Sequence, residues 1–356
     1  MNDVATRTTP ATPEKTLHRF EFRGEGGEFF RIWIVNIALS LITLGIYSAW
    51  AKVRTRRYFY GNIFVAGHSF DYHASPVRIL IGRIIALGLL VISQLARFSP
   101  FIAVPMGVLF FFAVPWLIVS SRRFNARNTS YRNVRFNFSG TYGGAFFTYI
   151  AWSLAAVVTL GGLWPLAHRA RDYYFINNHS FGGKRFATKF AGWSIYKIYL
   201  ISLGLLFLAA VTSSLGASLF GFLLARGQNG VLASNQIAIG MSVLTLSVTW
   251  VAVASYVYTR VFNLAVSNTT LDGNHALVAV LSARKIVWIG VTNLVLVLVT
   301  IGLFYPWARV RVARYMADHM SLLAASDLDE FTSESFAAQS AIGEEIAGFF
   351  DYDIGL

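Results

Sequence analysis

The sequence predicts a mainly α-helical, polytopic membrane protein made of internally repeated helical units, with short β-strands in its cytoplasmic loops. Three observations carry this reading. The 356 residues are 55% hydrophobic and only 13% charged, whereas a soluble domain is about a quarter charged. The apolar residues fall in runs close to the ~20 residues that cross a bilayer. Two stretches of the chain also align with each other without gaps.

The clearest runs are 98–120, 198–224 and 237–258. The run 79–96 is shorter and contains Arg83. Three more, 29–50, 145–166 and 286–307, are ambiguous in length and polarity. A greasy soluble protein could not hide so many uncharged runs. The first 28 residues are polar and mixed in charge, unlike a signal peptide. The chain has no cysteine, which removes disulfides, thiolate metal sites and cysteine nucleophiles.

Residues 19–70 align with 135–186 at a constant offset, with 16 identities in 52 positions, where about three would arise by chance. Arg19-Phe20-Glu21-Phe22-Arg23-Gly24 matches Arg135-Phe136-Asn137-Phe138-Ser139-Gly140, and Thr43-Leu44-Gly45 matches Thr159-Leu160-Gly161. Tyr58-Phe59 matches Tyr174-Phe175, and Asn62, Gly67 and Phe70 match Asn178, Gly183 and Phe186. A third, partial copy starts at Thr300-Ile301-Gly302 and runs to Tyr315. The segments expected are a polar tail 1–18, membrane repeat 19–134, membrane repeat 135–275, partial repeat 276–320 and an acidic tail 321–356.

Each copy opens on an alternating strand pattern, Phe20/Phe22 or Val134/Phe136/Phe138. An apolar helix follows and breaks at Thr-(Leu/Ile)-Gly. Pro165 and Pro306 then suit the first turn of a new helix, where the first copy has Ala49. That second helix is basic and aromatic. In the two full copies a loop with strand character follows, 62–72 and 178–186, and then a pair of apolar helices.

Residues 29–320 hold 26 of the 30 Lys/Arg and four of the 17 Asp/Glu, namely Asp71, Asp172, Asp272 and Asp318. These bases flank apolar runs, so anionic phospholipid headgroups are the expected counterpart and nucleic acid is not. If all seven runs cross, the Lys/Arg outside them divide evenly between the two sides. If the three repeat helices bend at the Thr-Leu-Gly element and return, 26 lie on one side and two, Arg97 and Arg226, on the other. That is a strong positive-inside bias. It leaves four full spans in two hairpins and puts both termini in the cytoplasm. The rival reading has full crossings and inverted copies, as in many secondary transporters.

The run Phe22-Arg23-Gly24-Glu25-Gly26-Gly27-Glu28-Phe29-Phe30, then Asn36, Leu44-Gly45-Ile46-Tyr47-Ser48-Ala49-Trp50-Ala51-Lys52-Val53-Arg54 and Arg57-Tyr58-Phe59-Tyr60 resembles the YjgN-like family of bacterial inner-membrane proteins, a domain of unknown function. The resemblance covers about residues 17–320, and the tail from Phe349 to Leu356 is similar too. It implies localisation in the bacterial inner membrane and a membrane zinc metallopeptidase as a partner. It implies no catalytic or binding residues.

The chemistry-bearing motifs are few. The seven histidines form no His-Glu-x-x-His. His68 and His73 flank Asp71, but loop histidines are usually plain hydrogen-bonding groups. No Gly-x-Ser-x-Gly elbow and no phosphate-gripping loop is present, and Gly24-x-Gly26-Gly27 reads as a hinge. No carboxylate lies at mid-membrane depth, which argues against a carboxylate relay. We therefore expect no enzyme, cofactor or metal site.

Three features remain. The helix breaks, at Thr43, Gly45, Thr159, Gly161, Thr300, Gly302, Pro165 and Pro306, form the candidate solute site, because broken helices at matching positions mark binding sites in transporters. The basic side chains Lys52, Arg54, Arg57, Arg83, Arg169, Arg171, Arg309, Arg311 and Arg314, with Arg56 beside them, are candidate contacts to an anion or to headgroups. Arg83 either snorkels or lines a polar cavity with Asn36, Gln94 and Asn293, and Asp172 is expected to pair with an arginine of a neighbouring copy. In the tail, Ile342, Ile346, Phe349 and Phe350 recur at helical spacing, which suits either a free end or a cap docked on the basic surface. The reading that follows is a permease or channel for an anionic or amphipathic solute. The alternative is a non-transporting scaffold or regulator of a membrane enzyme such as a metallopeptidase.

Overall fold

A computed structural model describes residues 15–95, 99–224 and 230–346. The described residues form ten strands, grouped mostly as short hairpins between pairs of helices. Strand β1 (Thr16–Phe22) leads into α1 (Gly26–Ile42) and α2 (Ser48–Gly61). The hairpin β2 (Ile63–Val65) and β3 (His68–Tyr72) leads into α3 (Pro76–Leu95) and α4 (Pro100–Arg127). Next come β4 (Thr129–Tyr131) and β5 (Val134–Phe138), then α5 (Tyr142–Val158) and α6 (Trp164–Asn177). Helix α5 contains a π-helical stretch, Phe146–Ala151. After β6 (His179–Phe181) and β7 (Lys184–Thr188) come α7 (Gly192–Leu224) and α8 (Gly230–Ser267). The chain then forms β8 (Thr269–Leu271), β9 (His275–Ala279), α9 (Ala283–Val299), α10 (Tyr305–Asp318), β10 (Met320–Ala324) and α11 (Leu328–Ile346).

The ten strands form one closed barrel in which every strand pairs antiparallel with its neighbours in sequence and β1 pairs with β10. On one rim the register pairs are Phe22↔Ile63, Tyr72↔Thr129, Phe138↔His179, Thr188↔Thr269 and Ala279↔Met320. Each pair brackets one helical excursion, so all five excursions leave and re-enter the barrel at the same rim. The opposite rim carries the short strand turns and the outer ends of β1 and β10. Three of those turns have two residues, Ala66-Gly67, Arg132-Asn133 and Gly182-Gly183, all at positive φ. Such primed turns match the twist of antiparallel strands.

The sequence expects short strands in separate loops. They are instead parts of a single barrel, because closure is the arrangement that leaves no strand edge unpaired. The expected segment boundaries at 134/135 and 275/276 fall at the starts of β5 and β9, and the segment from 321 opens inside β10.

Among the described residues, four helices are long and apolar enough to cross a membrane: Pro76–Gln94, Pro100–Arg127, Gly192–Gly221 and Gln236–Ser267. Helices α1 and α9 have 17 residues each, or about 25 Å of helix. They end at five-residue breaks with a common geometry, shared by α5. Leu44, Leu160 and Ile301 each adopt φ 50, followed by Gly45, Gly161 and Gly302 at φ 91, 90 and 89. The glycine N–H bonds five residues back, to Ser40, Ala156 and Val297, at 2.7 Å in each case, the Schellman closure of a helix C-terminus. The threonine hydroxyl bonds back into the first helix and accepts the N–H that opens the second, from Tyr47 at 2.9 Å, Leu163 at 3.1 Å and Phe304 at 2.9 Å.

Candidate functional site

The barrel interior follows from strand alternation. Side chains two apart share a face, and every strand sends one large apolar side chain to the axis. Phe20, Val65, Phe70, Tyr131 and Phe136 come from β1 to β5, and Phe181, Phe186, Leu271, Leu277 and Leu322 from β6 to β10. The rings stack in a chain: Phe20 to Phe70 at 6.4 Å, Phe70 to Phe136 at 6.3 Å, and Phe136 to Phe186 at 6.4 Å. An eight-stranded barrel is just wide enough for its own side chains to fill. Ten strands leave a narrow bore, most of which these packed side chains fill.

Helix α11 closes that bore at the turn-bearing rim. Leu328, Phe331 and Thr332 reach its lining, and Phe331 stacks on Phe181 at 6.4 Å. A cavity of about 90 Å³ with apolar walls remains. The helix starts where Asp327 Oδ1 accepts the Asp329 N–H at 2.8 Å, an N-terminal cap. Its acids meet bases on the barrel turns. Arg132 pairs with Asp329, while Lys184 Nζ lies 3.5 Å from Glu334 and 3.4 Å from Asp272. Gly182 adopts φ 55, and a Cβ there would stand 2.3 Å from Ser335 Cβ, so the helix rests on a turn where only glycine leaves room. His275 is buried beneath the helix. Its ring packs on Phe331 at 4.4 Å, and its Nδ1 accepts the Ala325 N–H at 3.3 Å. Burial, with Lys184 nearby, holds its pKa below the ordinary value against the pull of Asp272. The tail thus docks on a basic barrel rim through 328–335. Phe349 and Phe350 lie outside the described residues.

The residues proposed as a solute site lie at the three helix breaks. Thr43, Thr159 and Thr300 sit on three separate hairpins, and a Cβ at Gly45, Gly161 or Gly302 would meet nothing within 4 Å. Leu44, Leu160 and Ile301 are 95%, 97% and 93% exposed. Pro165 and Pro306 are buried at the starts of α6 and α10.

Several basic candidates hold the scaffold together. Arg57 Nε donates to Tyr72 O at 3.1 Å, Arg169 Nε to Phe190 O at 3.1 Å and Arg314 Nη2 to Gly24 O at 3.0 Å. Each thereby grips the chain where it leaves a strand. Arg311 donates to Asn293 Oδ1 at 2.7 Å, Arg171 to Ser153 Oγ at 2.7 Å and Arg309 to the Tyr305 hydroxyl at 3.0 Å. Lys52 and Arg54 are exposed. Arg83 donates to Ser48 Oγ, while Asn293 bonds to Ala308 O and Arg311. The Asn36 amide is buried and has no hydrogen-bond partner among the described residues, and Gln94 bonds to Leu90 O on its own helix. Asp172 lies 3.9 Å from His168 on its own helix and not against another copy's arginine; burial raises its pKa to about 6, against the opposing pull of Arg171. His73 bonds Ser130 Oγ at 2.7 Å and His68 bonds Ala66 O at 3.1 Å.

The bore escaped the sequence reading. Its signal was present in the phenylalanines of β1, β3, β5, β6 and β7 and in the Gly182-Gly183 and Asp272-Gly273 turns, each lying between apolar strands.

Apolar helices rising from one rim of a closed, stoppered barrel define a membrane protein that joins candidate spans to a β-domain. The chain matches the family described as bacterial protein of unknown function (DUF898) over residues 17–349, and it belongs to that family. Inner membrane protein YjgN of Salmonella typhimurium is 24% identical, over 89% of this chain and 91% of that protein. Inner membrane protein YjgN of Escherichia coli K12 is 27% identical over 40% of this chain and 36% of its own length. No solved structure matches the chain.

Proposed function

We propose that the protein is a multi-pass inner-membrane protein whose barrel receives the apolar part of an amphipathic, anionic solute, with α11 as the stopper. The observation that carries this reading is the bore. Its wall is apolar on all ten strands, and it is closed by a separate helix held through exposed ion pairs and one inserted ring. An inorganic anion would meet no polar group at that level, so the solute class narrows to molecules with a hydrocarbon part.

The names of the relatives and the four apolar helices support placement in the inner membrane. The basic rim supports a cytoplasmic barrel and cytoplasmic termini. The shorter hairpins α1–α2, α5–α6 and α9–α10 then dip into one leaflet, with their exposed leucine and isoleucine tips in hydrocarbon, where such side chains are at no disadvantage.

The test uses full-length protein in proteoliposomes and a variant lacking 327–356. A fluorescent long-chain carboxylate should bind or cross at least several-fold faster with the variant. Equal binding and flux would identify the barrel as a packed core. Stable co-purification with a membrane peptidase would then favour the scaffold reading.

A further inference from the structure

On the helix-bearing rim, a second cavity of about 370 Å³ opens directly above the bore and shares Phe70 and Phe136 with it. Its other walls come from α2, α4, α6 and the first residues of β4 and β6. Two guanidinium groups line it, Arg56 from α2 and Arg122 from α4. Its lining contains no carboxylate.

Both cations are positioned by neutral groups. Arg56 donates from Nη1 to the Tyr72 hydroxyl at 2.6 Å and to Asn125 Oδ1. Those acceptors fix the guanidinium without neutralising it, and its other N–H donors are left for a ligand. Arg122 lies 4.4 Å from the centre of the Phe175 ring, an orientation that a cation–π contact holds. Thr129 and His179 line the same space. His179 Nδ1 contacts Phe175 O at 2.6 Å, so that nitrogen carries the proton. Burial keeps the ring below its ordinary pKa and therefore neutral.

Two fixed arginines with no carboxylate partner among the described residues, set beside neutral polar groups, suit an anion, and planar guanidinium forks match phosphate oxygens. The aromatic floor belongs to the bore. The geometry points to an anionic phospholipid as the ligand: its headgroup phosphate is held between Arg56 and Arg122, and its acyl chain is directed at Phe70 and Phe136. This deepens the proposed function and rests on the bore as the chain's destination.

The test is lipid retention by native mass spectrometry of the full chain, purified from vesicles of phosphatidylglycerol and phosphatidylcholine. The protein should retain phosphatidylglycerol in preference. The double variant Arg56→Gln, Arg122→Gln should retain it about tenfold less or worse, since charge-assisted hydrogen bonds are lost. The control variant Arg19→Gln, Arg185→Gln removes the same charge from exposed strand positions and should bind like the parent. Equal loss in both variants, or no selectivity in the parent, overturns the site. Displacement of the lipid by millimolar inorganic phosphate would show that free phosphate is the ligand, and this too overturns the lipid assignment. A Phe70→Trp variant separates the two readings. Quenching by a brominated acyl chain is expected. Arginine-dependent retention without quenching keeps the headgroup site and overturns the bore as its chain's destination.

Discussion

The Lys184 ammonium lies 4.2 Å from the centre of the Phe331 ring, joining a barrel strand to the helix that stops the bore. The same lysine contacts Glu334 and Asp272, so one cation serves the plug through both its acid and its ring.

Phe331 is the larger contribution. Removing a buried phenyl ring costs about 3–5 kcal/mol, whereas exposed ion pairs give about 0–1 kcal/mol. Phe331→Ala should undock α11, and amide exchange across residues 328–337 should speed up by at least a hundredfold. Lys184→Gln should give only a several-fold increase. Hydrogen exchange of the two variants checks the ranking.

The plug should also loosen in acid. Protonated His275 cannot accept the Ala325 N–H, and its pKa is depressed in the folded state. Its contribution is therefore complete above the unfolded pKa of about 6.5 and is lost as pH falls through the folded value. Asp272 and Lys184 are the charged groups that act on it. Exchange in α11 should rise below about pH 6 in the parent, and that part of the pH dependence should vanish in His275→Gln.

Gly182 and Gly183 offer an internal comparison. Both have positive φ, so alanine strains the turn at either position by about 1–2 kcal/mol. Only at Gly182 would the new Cβ collide with α11. Gly182→Ala should expose the α11 segment to limited proteolysis, while Gly183→Ala lowers thermal stability with the plug still in place.

Orientation can be read directly because the native chain has no cysteine. His68 and Asn274 are exposed beside strand turns on the same rim. Single cysteines at these positions should react with an impermeant maleimide from the cytoplasmic side only. Labelling from opposite sides would restore the fully crossing, inverted arrangement.

The helix breaks make a separate prediction. A nitroxide on Leu44→Cys, Leu160→Cys or Ile301→Cys should report an oxygen-rich, water-poor environment in the bilayer. Water accessibility at all three would put the breaks in an aqueous cavity and reopen them as a solute site.

The helical part of the fold is legible from sequence because its signals are local. Apolar run length, the Thr-Leu-Gly break and the proline at the start of α6 and α10 all act within a few residues. Phe20/Phe22 and Phe136/Phe138 gave their strands by alternation. The barrel was not legible, since a strand such as Thr129–Tyr131 has three residues and one of its two partners, β3, is separated from it by a whole helical excursion. The bore was hidden for the same reason: its wall takes one side chain from each strand, and no window of sequence contains more than a few. The anchoring of the basic residues was not legible either, because Arg57, Arg169 and Arg314 bond to backbone carbonyls that carry no mark in the sequence. Arg56 and Arg122 stand out only once the two helices bearing them are brought together.

Closure of the barrel by β1 and β10 has a consequence for biogenesis. Thr16 pairs with Ala324, so the first strand made waits for nearly the last. During synthesis β1 presents an open edge while every helical hairpin is inserted, and open edges are sites of mispairing. The last strand and its stopper emerge together, so the chamber is sealed as soon as it is complete, and a chain truncated before residue 320 would leave a gap in the wall for quality control to find.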